Sequence, residues 1–173
     1  MSLSNNLGSY SRILGIDPGL KDTGYGVIEN SSHGLSVCEA GVVRSNDSGA
    51  GADLAQRVRS LYEGILEVID QFQPQAVAVE QLYAHYQHPR TAILMAHARG
   101  VILLTAGQRN LPLVSYNATR IKKTITGNGR ASKEQIQRTI ERELGLNKTP
   151  EPPDVADALA VALCHYYVLR LPV

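Results

Sequence analysis

Four carboxylates stand at places where apolar segments end or turn. Arg12-Ile13-Leu14-Gly15-Ile16 is a short apolar run that finishes in Asp17 and breaks at Pro18-Gly19, and Ala76-Val77-Ala78-Val79 finishes in Glu80 in the same way. Near the C-terminus, Pro152-Pro153-Asp154-Val155-Ala156-Asp157-Ala158-Leu159-Ala160 puts two acids three residues apart, on one face of a helix that Pro153 is suited to start. A near-continuous apolar strand is buried on both faces, where a charge is costly unless it is paired or bound to a cation. Each acid alone has a plainer reading: acids at a helix start stabilise it by about 0.3–1 kcal/mol, and an Asp before Pro-Gly can open a turn. Two strands and a helix delivering Asp17, Glu80, Asp154 and Asp157 point instead to a carboxylate cluster that binds divalent metal.

Hard cations take oxygen ligands, and four acids with no His or Cys cluster suit Mg²⁺, with Mn²⁺ as a substitute. Two such ions roughly 4 Å apart can serve the attacking and leaving oxygens of a phosphodiester in an in-line displacement. Without metal the carboxylates repel one another, which raises and couples their pKa values.

The elements that must position these acids follow from periodicity. After the first strand, Gly24 to Ile28 and Leu35 to Val43 flank a turn-rich segment and predict a hairpin, so three strands form a meander. Leu54, Val58, Leu61, Ile65, Ile69 and Phe72 mark a helix from about Asp53 to Gln73. Ala76 to Glu80 is the next strand, followed by a helix from about His88 to Arg109, a strand at Leu113 to Tyr116, a basic segment with shorter helices, and the acidic helix. The order predicts an α/β fold with a mixed five-stranded sheet flanked by helices, in which Asp17 and Glu80 end adjacent strands and the last helix lays its acids beside them.

With 173 residues, 43% of them hydrophobic, the chain predicts one domain over residues 12–170 behind a polar tail at 1–11. No run reaches membrane-spanning length or has the form of a secretory leader, and Cys38 and Cys164 are isolated, so a cytoplasmic location is expected. The net charge of +1 is unevenly spread: residues 119–148 carry +5 and the remainder −4. A basic surface beside an acidic pocket suits a binder of phosphate backbone. Lys122, Lys123 and Lys133 flank Gly127-Asn128-Gly129, and Ser132 with Gln135 forms a capping box that fixes Lys133 at a helix start. Tyr83 and Tyr86 follow the Glu80 strand, where a ring could stack on an unpaired base. His85 and His88 are near that loop, whereas His165 lies too far along its helix from Asp157 to share a metal. The helix at about 88–109 is apolar on more than one face, which calls for two burial partners, one of them a second subunit.

In order and spacing, Gly15-Ile16-Asp17-Pro18-Gly19 with Thr23-Gly24-Tyr25-Gly26, Val79-Glu80-Gln81 and Asp154-Val155-Ala156-Asp157-Ala158-Leu159-Ala160 resemble the RuvC family of Holliday junction resolvases, which has the RNase H-like fold. The resemblance implies a crossover junction endodeoxyribonuclease, a homodimer that resolves four-way DNA junctions by paired nicks in recombination and repair. It also implies a branch-migration helicase complex of the RuvA-RuvB type as partner. Residue by residue, it implies that Asp17, Glu80, Asp154 and Asp157 bind metal, that Lys122 and Lys133 touch DNA, and that Tyr83 inserts at the junction. An RNase H-type enzyme acting on RNA:DNA hybrid and a non-catalytic junction-binding module remain alternatives, the latter poorly matched to four intact acids.

Overall fold

The computed structural model describes residues 10–45, 53–82 and 89–170. Strands β1 (Arg12–Asp17), β2 (Asp22–Ser31) and β3 (Gly34–Arg44) form the expected meander. Helix α1 (Leu54–Phe72) leads to β4 (Ala76–Glu80), helix α2 (Pro89–Gln108) to β5 (Leu113–Tyr116), and the chain ends in α3 (Ala118–Thr126), α4 (Lys133–Leu144) and α5 (Pro153–Val168). The sheet order is β3-β2-β1-β4-β5, antiparallel across β3-β2-β1 and parallel across β1-β4-β5. The hairpin strands run longer than the turn residues suggest. They pair from Asp22↔Arg44 to Ser31↔Gly34, with a shift at Val27/Ile28, and Arg44 Nε lies 3.5 Å from Asp22 Oδ1 at the open end.

Helix ends follow their local chemistry. Asp53 caps α1 by accepting from the Ala55 N–H, and Gln73 closes it in the left-handed region at φ 48°. The Ser132–Gln135 capping box on α4 is present as expected, and α3 and α4 end at Gly127 and Gly145, both with positive φ.

Alternation along β1 and β4 assigns the two faces. Ile13 and Ala78 pack with α3, α4 and α5, while Leu14, Ile16, Val77 and Val79 pack with α1 and α2. Asp17 and Glu80 share the parity of Ile13 and Ala78, so both project onto the face that α5 covers. In helix α5, Val155, Ala156 and every residue from Ala158 to His165 are buried, because the sheet lies under it and α3 and α4 lie over it.

That burial depends on glycines. A β-carbon on Gly15 would stand 2.2 Å from the Ala158 carbonyl oxygen, one on Gly24 2.1 Å from the Asp154 carbonyl oxygen, and one on Gly26 2.5 Å from Leu159 Cδ2. Gly15 and Gly26 are cross-strand partners, and Gly24 pairs with Asp17, so the three form a trough across β1 and β2 into which the first half of α5 settles. At its far end α5 is tied to β5, where the Tyr116 hydroxyl lies 2.7 Å from His165 Nδ1 with the Tyr10 ring stacked on the imidazole. His165 is core packing; burial holds its pKa below the usual value. The Ser11 N–H donates to Gln75 Oε1 at 2.5 Å.

Gly15→Ala should destabilise the fold by about 1–3 kcal/mol, because a methyl group meets backbone that cannot turn aside. Gly107→Ala in α2, which meets nothing within 4 Å, should be neutral or stabilising by up to about 1 kcal/mol. Urea denaturation midpoints of the two variants separate these outcomes.

Candidate active site

The sheet edge brings the first two acids together. Ile16 pairs with Val79 in parallel register, so the next residues, Asp17 and Glu80, stand side by side where β1 and β4 end. The Asp17-Pro18-Gly19 turn is locked by buried Thr23: its hydroxyl receives the Gly19 N–H at 3.2 Å and donates to the Gly19 carbonyl. The end of β4 is held by Arg99 of α2, which donates to the Glu80 carbonyl at 3.1 Å and to Ser115 Oγ at 2.6 Å, while the Gln81 N–H bonds the Tyr116 carbonyl. Helix α5 starts directly over Gly24, the cross-strand partner of Asp17, which puts Asp154 in its first turn and Asp157 one turn later against the strand ends.

The electrostatics show that all four acids share one environment. Burial pushes Asp17 up to about 8, and Glu80, Asp157 and Asp154 add to the rise in that order. Glu80 is raised by burial and then by Asp157, with Lys122 opposing. Asp157 is raised by burial and by Asp154, against Lys133 and Lys122. Lys122 on α3 and Lys133 on α4 therefore lie close enough for their charge to act on the acids. Among the described residues no three His, Cys, Asp or Glu side chains are gathered tightly enough to hold an ion as they stand.

The donor set nevertheless fits a hard cation. It is all carboxylate oxygen, and Asp17 sits too deep to carry its charge at neutral pH unless a positive charge joins it. A cavity of about 400 Å³ opens beside Asp17 and Asp154, with Gly19, Arg57, Thr91 and Met95 among its walls. Arg57 Nε also donates to Ser45 Oγ at 3.4 Å. Sequence reasoning missed Arg57 and Arg99: neither stands in a motif, and only the packing of α1 and α2 carries them to the strand ends. Lys123, expected with the other lysines, faces another cavity, beside Arg120 and Tyr167. Tyr83, Tyr86, His85 and His88 lie outside the described residues.

A mixed five-stranded sheet of this order, with acids closing its two central strands and two more on the helix across them, defines an RNase H-like fold of the nuclease type. The family model "Crossover junction endodeoxyribonuclease RuvC" matches residues 13–165. The chain belongs to the RuvC family of crossover junction endodeoxyribonucleases. The RuvC of Rhodopirellula baltica is 49% identical over 96% of this chain and 92% of its own, and that of Hydrogenovibrio crunogenus is 41% identical over 92% and 90%. Among solved structures, Thermus thermophilus RuvC in complex with Holliday junction substrate is 31% identical, with a TM-score of 0.84 over 93% of this chain and 96% of that one. The yeast mitochondrial Holliday junction resolvase Ydc2, 16% identical with a TM-score of 0.65 over 96% of this chain and 85% of that one, shares the fold.

A carboxyl group whose folded pKa lies above its unfolded value contributes stability below the unfolded pKa and loses it as pH rises through the folded one. For Asp17 that window runs from the ordinary carboxyl value of 3.8 to about 8. In chelator, the protein should melt progressively lower across this window, and Asp17→Asn should remove much of the decline and melt above wild type at its alkaline end. Thermal melts at several pH values, with and without Mg²⁺, measure this; a wild-type melting temperature that rises toward alkaline pH in chelator contradicts it.

Proposed function

We propose that this protein is a divalent-metal-dependent endonuclease that resolves four-way DNA junctions by paired nicks, with residues 12–170 as one domain to which Tyr10 and Ser11, expected in the tail, are also tied. The observation that carries the reading is the convergence of Asp17, Glu80, Asp154 and Asp157, from two strand ends and one helix, with Lys122 and Lys133 beside them. Asp17, Glu80, Asp154 and Asp157 would hold Mg²⁺, with Mn²⁺ as a substitute, and four carboxylates can ligate the two ions of a paired centre. Bound there, the cations supply the Lewis acidity that phosphodiester hydrolysis needs. Arg99 and Thr23 keep the two strand-end acids in place, so little reorganisation is left for the moment of reaction.

Lys122 and Lys133 supply positive charge where a scissile phosphate must approach four acids, and Lys123 adds to the basic surface on the same helix as Lys122. Tyr83, three residues beyond Glu80, is the ring we assign to stacking at the crossover. The working partners are a junction and, for handover, a branch-migration complex of the RuvA-RuvB type, in the cytoplasm. Among the described residues no helix is long and apolar enough to cross a membrane.

Two coordinated cuts call for two active sites, and α2 offers the surface for a homodimer. Its inner side is buried against α1 and the sheet, while Ile93, Leu103 and Leu104 are 59%, 43% and 56% exposed. Gly100 and Gly107 have open space beyond them, which permits close approach of a second helix.

Asp17→Asn should abolish nicking of a synthetic junction while leaving junction affinity intact or improved, since it weakens cation binding and removes a charge that repels phosphate. Gel shift and nicking on one preparation test this, and loss of binding by a folded variant would count against the assignment. Ile93→Glu with Leu104→Glu should give a monomer by sedimentation and convert paired cuts on a cruciform plasmid into single nicks; retention of the dimer would reject α2 as the interface.

A further inference from the structure

The second basic feature of the molecule lies away from the acids. On α3, Ile121 and Ile125 are buried against the core, and at about 100° per residue Lys122 and Thr124 fall on opposite flanks of that stripe. The Lys122 flank faces Glu80 and Asp157. The other flank opens a cavity of about 430 Å³ walled by Arg120, Lys123, Thr124, Tyr167 and Arg170, with three cations and no carboxylate among its walls.

Nothing described balances those charges. The salt bridges among the described residues include none to Arg120, Lys123 or Arg170. The carboxylate bonded to the Tyr167 hydroxyl, Glu143, is already paired with Arg142 at 2.9 Å. Arg170 is held in place, its guanidinium carbon 3.7 Å from the centre of the Tyr166 ring. Solvated lysines and arginines on one helix face are ordinary, but here cations from α3 and from the end of α5 converge on a single concavity whose walls also include Thr124 and Tyr167. Such a set matches the charge and the acceptor oxygens of a phosphodiester.

We propose that this cavity is a second phosphate-binding site, one that grips the sugar-phosphate backbone of a junction arm away from the cut; the proposal rests on the junction-resolving reading above. From Asp157 to Tyr167 is ten residues of α5, about 15 Å along its axis. That spacing corresponds to about four steps of a DNA strand at 3.4 Å per nucleotide. Helix α3 then works as a ridge, with Lys122 toward the scissile phosphate and Arg120 and Lys123 toward the arm. A site of this kind adds affinity without reading sequence and sets the angle at which the arm leaves the crossover.

The test uses the full chain, a catalytically silent condition in Ca²⁺, and junctions carrying single neutral methylphosphonate linkages at successive positions along one arm. Wild type should lose affinity at linkages beside the crossover and again at linkages about four nucleotides away. Arg120→Gln, Lys123→Gln and Arg170→Gln should each lower the magnitude of the log-log salt slope by about one and together erase the distal sensitivity, leaving the crossover sensitivity in place. Lys123→Arg should keep both. An unchanged slope and an unchanged linkage pattern in the triple variant overturn the site, as does a wild-type pattern with no distal position. Failure of the wild-type protein to prefer a junction over linear duplex would instead remove the reading on which the site rests, and the two failures are told apart by that single comparison.

Discussion

The close seating of α5 on the sheet is the constraint on which the rest of the structure depends. Side chains normally hold a helix about 10 Å from a sheet, but the Ala158 carbonyl, the Asp154 carbonyl and Leu159 occupy the space that β-carbons on Gly15, Gly24 and Gly26 would fill. The approach is closest beside Asp17, because Gly24 is its cross-strand partner. A helix standing further off would still bury its apolar residues, yet it would carry Asp154 and Asp157 away from Asp17 and Glu80. The glycines trade side-chain packing in the strands for proximity at the site.

Proximity brings repulsion, and the surroundings temper it unevenly. Asp17, deepest and most crowded by its neighbours, has no lysine among the groups acting on it, whereas Glu80 feels Lys122 and Asp157 feels both Lys122 and Lys133. The lysines thus temper Glu80 and Asp157, and Asp17 is left with burial and like charge alone, which on the proposed function a bound cation would offset. Backbone anchors from elsewhere hold this arrangement: Thr23 at the β1 turn, Arg99 at the end of β4, and the Tyr116–His165 bond between β5 and α5.

Much of this was legible in the residues. Apolar runs ending in acids located β1 and β4, and their parallel pairing followed from the intervening helix. Ser132 and Gln135 announced their cap because capping is a local interaction. The full burial of α5 was not legible, since its alanine-rich sequence shows no polar face to count and the partners that cover it are distant in the chain. Arg57 and Arg99 were invisible for the same reason: their roles arise where α1 and α2 cross the strand ends. The Ser132 cap placed Lys133 correctly, but no local signal says that Lys122 turns toward the acids while its neighbour Lys123 turns away; that is decided by which side of α3 the isoleucines bury.

The layering of α5 beneath α3 and α4 also divides the molecule by rate of motion. Amide groups of α5 and β1 are shielded on every side, so their hydrogen exchange requires the whole domain to open, whereas α3, nine residues long with only Ile121 and Ile125 buried, can detach at lower cost. Asp17, Asp154 and Asp157 therefore ride on the slowest-opening part of the chain, and Lys122 and Lys123 on a faster one. On the function proposed above, a cation would meet ligands that hardly move, and a branched nucleic acid, which arrives in many shapes, would meet a basic helix free to adjust around it.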